Sequence, residues 1–99
     1  MVTEIAHLKI DPSRAHEFEQ AVLKAKEFFQ SSAGCLGMKL EKVIEVPGDY
    51  HLVVRWSTLE DHTIKFRESA NFTAWRNLVS PFFREAPHVV HCTEVAKLF

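Results

Sequence analysis

The stretch Tyr50–Trp56, YHLVVRW, decides the fold because it carries apolar side chains at consecutive positions. Neighbouring residues of a β-strand point to opposite faces of the sheet, so Leu52-Val53-Val54 predicts a strand that avoids water on both faces. Pro47-Gly48-Asp49, directly before it, predicts a tight hairpin turn. The partner in this hairpin is a strand predicted over about residues 35–46.

Other elements follow outward from this hairpin in both directions. On the N-terminal side, residues 2–10 predict a strand, and Asp11-Pro12-Ser13 starts a helix over about 13–31. Apolar residues recur along that helix at steps of three and four, which places them on one stripe. The stripe comprises Ala15, Phe18, Ala21, Val22, Ala25, Phe28 and Phe29.

On the C-terminal side, Ser57-Thr58-Leu59-Glu60 fits a capping box with Ser57 as the N-cap. The helix that it opens is predicted to reach about Ser69, with Leu59, His62 and Phe66 facing inward. A further helical piece is predicted over about 70–82, ended by Pro81. After Pro87 comes a last strand, predicted from His88 to about Leu98.

The order strand, helix, hairpin, helix, strand predicts a ferredoxin-like α+β fold, β-α-β-β-α-β, in one domain over residues 1–99. Right-handed crossovers give an antiparallel sheet ordered 4-1-3-2 with both helices on one face. Strands 1, 3 and 4 carry apolar residues at both parities, so the other face also needs a cover. A second copy is the simplest one, and we expect a homodimer.

Composition narrows the classes of partner. The net charge is −1 with no basic stripe, so nucleic acid is not expected, and no apolar run is long enough for a membrane span. Residues 1–10 do not have the order of a signal peptide, which makes the cytoplasm the expected location. Cys35 and Cys92 are expected to be free thiols.

Among six histidines, His62 has the position most suggestive of chemistry. An imidazole aimed into an aromatic pocket would have its pKa shifted by desolvation and could act as a general base. A core histidine bonded to a backbone carbonyl explains the same pattern equally well. His7, His51 and His91 lie on three neighbouring strands and could hold a metal ion only if they shared a face. Separate hydrogen-bonded histidines are the preferred interpretation, and we expect no metal.

The aromatic residues Trp56, Phe66, Phe72 and Trp75 lie between sheet and helices, where they form either plain core or the walls of a cavity. Arg76 follows them. Turned inward, it would stabilise a carboxylate or a developing oxyanion, and turned outward it would be an ordinary surface residue. No glycine-rich phosphate loop, G-x-S-x-G elbow or paired carboxylates are present.

The segment from Leu52 to His62, a strand that ends in Trp followed by Ser-x-x-Glu, resembles the antibiotic biosynthesis monooxygenase domain family. The continuation Phe66-Arg67-Glu68-Ser69, Trp75-Arg76 and the prolines before the last strand extends this resemblance over nearly the whole chain. It implies a dimeric α+β barrel. Members of the family oxidise polyketide anthrones or quinols without a cofactor, degrade haem, or handle small signalling molecules.

The polyketide-oxidising members use an Asn four residues before the Trp, the Trp itself, a Tyr on the next helix and a later Arg. Trp56 and Arg76 match these residues, whereas Leu52 replaces the Asn and His62 replaces the Tyr. Haem degraders need an Asn, a Trp and an axial His that are not found at the corresponding positions, which disfavours haem degradation.

Three hypotheses follow from these residues. The leading one is a cofactor-independent monooxygenase that oxidises a small aromatic, quinol-like substrate with O2. Its expected catalytic residues are His62, Arg76 and Trp56, and its expected substrate-binding residues are Leu52, Phe66, Phe72 and Trp75. The second is a non-oxidative protein that binds or isomerises a small metabolite on the same scaffold, and the third is a purely structural dimerisation module.

Overall fold

The computed structural model describes residues 1–99 and contains four strands and two α-helices. The strands are β1 (Val2–Lys9), β2 (Cys35–Lys42), β3 (Asp49–Trp56) and β4 (His88–Cys92). The helices are α1 (Ala15–Gln30) and α2 (Ala70–Val79). Shorter elements are the 3-10 turns Pro12–Arg14 and Ser80–Phe82 and the π-helix Asp61–Phe66.

The four strands form one antiparallel sheet in the order β2-β3-β1-β4. Read from the other edge, this is the predicted order 4-1-3-2, and the ferredoxin-like α+β fold is confirmed. Ala6 of β1 lies opposite Leu52 of β3 on one side and Val89 of β4 on the other. Directly opposite residues share a face, so this register decides which side chains meet under the helices.

The core lies between the helices and the inward face of β1 and β3. Alternate strand residues are buried there, Ala6 and Leu8 from β1 and Leu52 and Val54 from β3, as the period of two requires. The predicted stripe of α1 is confirmed for Phe18, Ala21, Val22, Ala25 and Phe29, all of which are buried. Each large side chain removed from water contributes about 1.5–3 kcal/mol toward holding the helices on the sheet.

The last strand is shorter than predicted, because β1 offers it no further partner. Cys92 lies opposite Thr3, so only Val2 and Met1 remain for residues after Cys92 to pair with. The prediction that the strand continues to Leu98 is therefore wrong. Val95, Leu98 and Phe99 are exposed beyond its end. The strand β2 likewise ends at Lys42, where pairing with Tyr50 gives way to a wider turn over residues 43–48.

The start of the second helical region also differs from the prediction. Thr58, rather than Ser57, exchanges two hydrogen bonds with Asp61: the Asp61 N–H donates to Thr58 Oγ1 at 3.1 Å, and the Thr58 N–H donates to Asp61 Oδ2 at 3.2 Å. This reciprocal cap shifts the helical frame by one residue. Asp61, His62 and Phe66 are buried as a result, and Leu59, which was expected to face inward, is exposed.

The face of the sheet away from the helices, called here the open face, is less apolar than predicted. One row of apolar residues crosses it, Val53–Ile5–Val90, and the next row consists of histidines, His51–His7–His88. Lys9 and Arg55 also lie on this face.

The two cysteines are free, and no helix has the length and apolar composition needed to cross a membrane.

The turn between β2 and β3 provides a test of the fold. Gly48 has φ +89°, and a Cβ there would lie 2.2 Å from the Ile10 carbonyl oxygen, while Gly48 O accepts a 2.8 Å bond from the Ile10 N–H. We expect Gly48→Ala to lower the free energy of unfolding by roughly 1–3 kcal/mol in urea titrations. Gly37→Ala is the control, because its Cβ would meet only the flexible end of Arg55. Equal losses in both variants would contradict this account.

Candidate functional site

A cavity of about 270 Å³ lies between α2 and the inward face of the sheet. Residues of β1, namely Glu4, Ala6 and Leu8, form its floor, and Phe72 and Trp75 of α2 form an aromatic wall. Four ionisable side chains line it: Glu4, His62, Arg67 and Arg76. A second groove of about 340 Å³ beside α1 and β2 is lined by Lys26 and Cys35 but by none of these four. The cavity under α2 is therefore the candidate functional site.

The π-helix positions His62 in this cavity. The wider turn, marked by the hydrogen bond from the Arg67 N–H to the His62 carbonyl at 3.2 Å, buries both His62 and Phe66, of which only His62 lines the cavity. Extra residues in a helical turn of this kind are frequent at functional sites. The His62 side chain is about 4% exposed, and its ring stacks on Trp56 with centroids 5.2 Å apart.

Glu4 is the buried carboxyl group of the site, only 5% exposed. Its Oε1 atom accepts a hydrogen bond from the Trp56 indole N–H at 3.0 Å and lies 3.3 Å from His62 Nε2. Both polar contacts of the carboxyl group fall on Oε1, which leaves Oε2 for a ligand in the cavity. Trp56 thus positions two ionisable groups at once, holding Glu4 by its N–H and His62 by its ring.

The opposite nitrogen of His62 also has a partner. His62 Nδ1 lies 2.8 Å from His91 Nε2, a distance that requires one ring to donate and the other to accept. His91 is only partly buried, on the edge strand β4. The imidazole of His62 therefore bridges a buried carboxyl group and a histidine near the surface.

The electrostatics of the site favour neutral groups. Burial raises the pKa of Glu4 to about 7, against which the Trp56 hydrogen bond and the charge of Arg67 act. Burial, helped by Arg67 and His91, lowers the pKa of His62 to about 4. The pKa of His91 is also lowered, by burial and by Arg67. These shifts keep His62 and His91 uncharged at neutral pH and leave Glu4 near the midpoint of its titration, which suits a general base.

The residues predicted for the site divide into two groups in the structure. Leu52, His62, Phe72, Trp75 and Arg76 all line the cavity. Trp56 and Phe66 lie behind it, fully buried and in contact with each other at a ring-centroid distance of 5.2 Å. Arg76 keeps an exposed guanidinium group 5.9 Å from the Phe72 ring, so it lies along the cavity and reaches solvent. The catalytic and binding roles of all seven remain predictions.

The predicted site did not include Glu4 or Arg67, and His91 was considered only as a possible metal ligand. Glu4 carried a usable signal, because it shares the parity of Ala6, Leu8 and Ile10 and is the one charged residue in that inward set. His91 carried none, since its meeting with His62 depends on how the π-helix packs over the sheet.

The histidines do not group as the metal hypothesis required. His7 and His51 share the open face with their rings 5.2 Å apart, whereas His91 points to the helix side. His7 instead pairs with Asp49 at 3.1 Å. No set of three or more His, Cys, Asp or Glu side chains in the chain is arranged to hold a metal ion.

Comparison with known proteins adds to this geometry. The family model for antibiotic biosynthesis monooxygenase matches residues 1–78. The chain belongs to the antibiotic biosynthesis monooxygenase family. The resemblance in the sequence is thereby confirmed, and the cavity described above lies in a member of this family.

Three individual proteins are similar to this chain along nearly its whole length. A candidate antibiotic biosynthesis monooxygenase from Bordetella bronchiseptica has a solved structure with a TM-score of 0.93 and 41% identity, covering 96% of this chain and 97% of its own. The uncharacterized protein YczJ of Bacillus subtilis is 37% identical over 96% of this chain and its own full length. SnoaB, a cofactor-independent oxygenase from Streptomyces nogalater, shares the fold with a TM-score of 0.81 at 15% identity, covering 98% of this chain and 95% of its own.

The opposed pKa shifts predict how stability depends on pH. As pH rises from 4.5 to 7, the unfolded chain loses the Glu4 proton that the folded chain keeps, so this group lowers the free energy of unfolding. As pH falls from 6.5 to 4, His62 gains a proton in the unfolded chain but not in the folded chain. This also lowers the free energy of unfolding. Between about pH 4.5 and 6.5, Glu4 and His62 change the free energy of unfolding with pH in opposite directions.

We therefore expect Glu4→Gln to gain stability relative to wild type as pH rises from 4.5 to 7, measured by urea unfolding. Glu94→Gln, at an exposed position, serves as the control and should follow wild type. A difference between Glu4→Gln and wild type that stays constant with pH would show that Glu4 titrates normally in the folded chain.

Proposed function

We propose that this protein is a cofactor-independent monooxygenase that oxidises a small aromatic, quinol-like substrate with O2. The observation that carries the proposal is a buried proton acceptor, the Glu4–His62 pair, facing the same cavity as two arginines. A deprotonated dihydroxyarene can reduce dioxygen without a bound cofactor. One oxygen atom enters the ring to give a hydroxyquinone, and the other leaves as water.

Each group of residues has a role in this reaction. The Glu4–His62 pair removes the substrate proton, and the guanidinium groups of Arg76 and Arg67 stabilise the oxyanion that results. Leu52, Phe72 and Trp75 form the apolar walls that exclude water. Trp56 and Phe66 lie behind the lining of the cavity and hold His62 and Glu4 in place.

The size of the cavity restricts the substrate. About 270 Å³ lies just below the roughly 300–1,000 Å³ that is usual for small-molecule sites. A quinol with one or two rings suits it better than a larger polycyclic anthrone.

Leu52 favours a second candidate function, the binding or isomerisation of a small metabolite without oxidation. In the polyketide-oxidising members an Asn stands at this position, and here an apolar side chain lines the cavity instead. A base and a cation across a cavity are sufficient to move a proton on a carbonyl compound. The two candidates differ in whether O2 is consumed.

Oxygen uptake with a panel of hydroquinones and anthrones tests the main proposal. We expect His62→Ala to lower kcat/KM by about 10²–10⁴-fold, since a positioned general base contributes that much. Arg76→Gln should cost about 10²-fold through loss of oxyanion stabilisation. Arg14→Gln, in the exposed 3-10 turn before α1, is the control and should match wild type. No uptake by wild type with any substrate would exclude oxidation of these classes and leave the non-oxidative candidate.

We further propose that a second copy covers the open face, as the homodimers of this fold do. The row Val53–Ile5–Val90 offers the apolar contact, and Val90 is 43% exposed in the single chain. The polar rows beside it would lie toward the edges of that interface, where charged groups keep contact with water.

Sedimentation velocity tests the dimer. Wild type should sediment as a dimer at micromolar concentration, and Val90→Asp should sediment as a folded monomer because it places a charge in the apolar row. Ile44→Asp is the matched control, an exposed apolar residue in the turn between β2 and β3 that should leave the dimer intact. A monomeric wild type would overturn the proposal.

A further inference from the structure

Three ionisable side chains form a continuous line from the floor of the cavity to the edge of the sheet. Glu4 Oε1 lies 3.3 Å from His62 Nε2, and His62 Nδ1 lies 2.8 Å from His91 Nε2. Glu4 lines the cavity, His62 is buried, and His91 is partly exposed on β4. The line therefore has one end at the cavity and the other near solvent.

The fold itself sets up this line. Glu4 and His91 are direct partners in the register between β1 and β4, so both point toward the helices. The π-helix then places the ring of His62 above them with one nitrogen toward each. Each contact joins ring nitrogen or carboxyl oxygen atoms that can either carry or accept a proton, so a proton can lie on either partner.

We propose that this line is a proton relay: Glu4 accepts the proton of the ligand, and His62 and His91 pass a proton on to solvent. The inference rests on the proposed function for the source of the proton. Once the proton has left, the Glu4 carboxylate accepts from His62 Nε2–H, and His62 Nδ1 accepts from His91 Nε2–H.

The relay begins with Glu4 as a carboxylate and with both rings protonated on Nδ1. Glu4 takes up the ligand proton and donates it to Nε2 of His62, while the proton on Nδ1 of His62 moves to Nε2 of His91 and the proton on Nδ1 of His91 enters water. The reverse sequence later brings one proton from water to Glu4. Glu4 gives this proton to the oxygen atom that leaves as water in the proposed oxidation, and both rings are then back in the starting tautomer.

No net charge is left behind on either ring. Each imidazole gains a proton on one nitrogen and loses one from the other, so the buried site never has to hold an imidazolium ion at rest. Arg67 disfavours a cation on both rings, and Arg76 is the other cation lining the cavity. Cys35 of β2, whose raised pKa is due to burial and partly to Glu4, is the remaining titratable neighbour and stays a thiol.

Nitrogen NMR of the histidine rings tests the relay without any substrate. We expect His62 and His91 to remain neutral and to change their tautomers together as Glu4 titrates near pH 7. In Glu4→Gln this coupled change should vanish. Rings that keep one tautomer throughout, or that titrate independently of Glu4, would overturn the relay whether or not the protein oxidises anything.

Turnover tests the exit of the proton. His91→Gln keeps a hydrogen-bonding partner for His62, but an amide cannot pass a proton on. We expect it to lower kcat by about tenfold or more with little change in KM, and added imidazole to restore the rate. Imidazole should not rescue Glu4→Gln, and His16→Gln, at an exposed position on α1, should match wild type.

The two experiments separate the relay from the proposed function. Coupled tautomer changes in a wild-type protein that consumes no oxygen would support the relay and contradict the proposed monooxygenase function. Oxygen uptake that is unaffected in His91→Gln would overturn the relay and leave the monooxygenase in place. A loss in His91→Gln that imidazole does not restore would assign His91 a structural role only and would also overturn it.

Discussion

The register of β1 between β3 and β4 is the constraint on which the rest of the structure depends. It places Ala6 between Leu52 and Val89, and it sets Glu4 beside His91 on the face that the helices cover. A slip by one residue would turn Glu4 toward the open face and bring Ile5 into the core in its place. The core, the cavity floor and the line of ionisable groups would then all be lost together.

Placing Glu4 and His62 under the helices has a cost in stability. Burial opposes charge on both, which raises the pKa of the acid and lowers the pKa of the imidazole. Neither group is left without a partner, since Trp56 and His91 complete the network and no buried side-chain nitrogen or oxygen lacks a hydrogen bond. Buried polar groups that are satisfied but desolvated rarely add stability over apolar ones of the same shape. Their presence here is better explained by chemistry than by folding.

The two faces of the sheet differ in composition. The helix-covered face is apolar except at two places: the cavity, where Glu4 and His91 meet His62, and the end of the sheet where Tyr50 and Lys42 approach Glu19 of α1. The open face carries a single apolar row between polar ones, a pattern suited to contact with another surface and not to a sealed core. The short β4, which ends where β1 runs out of partners, keeps His91 near the edge of the sheet and so near water.

Local patterns in the sequence determined the element order, the sheet order and the inward stripe of α1, because hydrophobic periods of 2 and 3.6 residues are visible over short stretches of sequence. They also indicated that Trp56, His62 and Arg76 lie around one region, and the family resemblance supported this. Only the tertiary structure decided where the last strand stops and that Glu4 and His91 both reach His62. These outcomes depend on strand register and on the packing of one element over another, which join residues 29 to 58 positions apart. No local pattern records such distances.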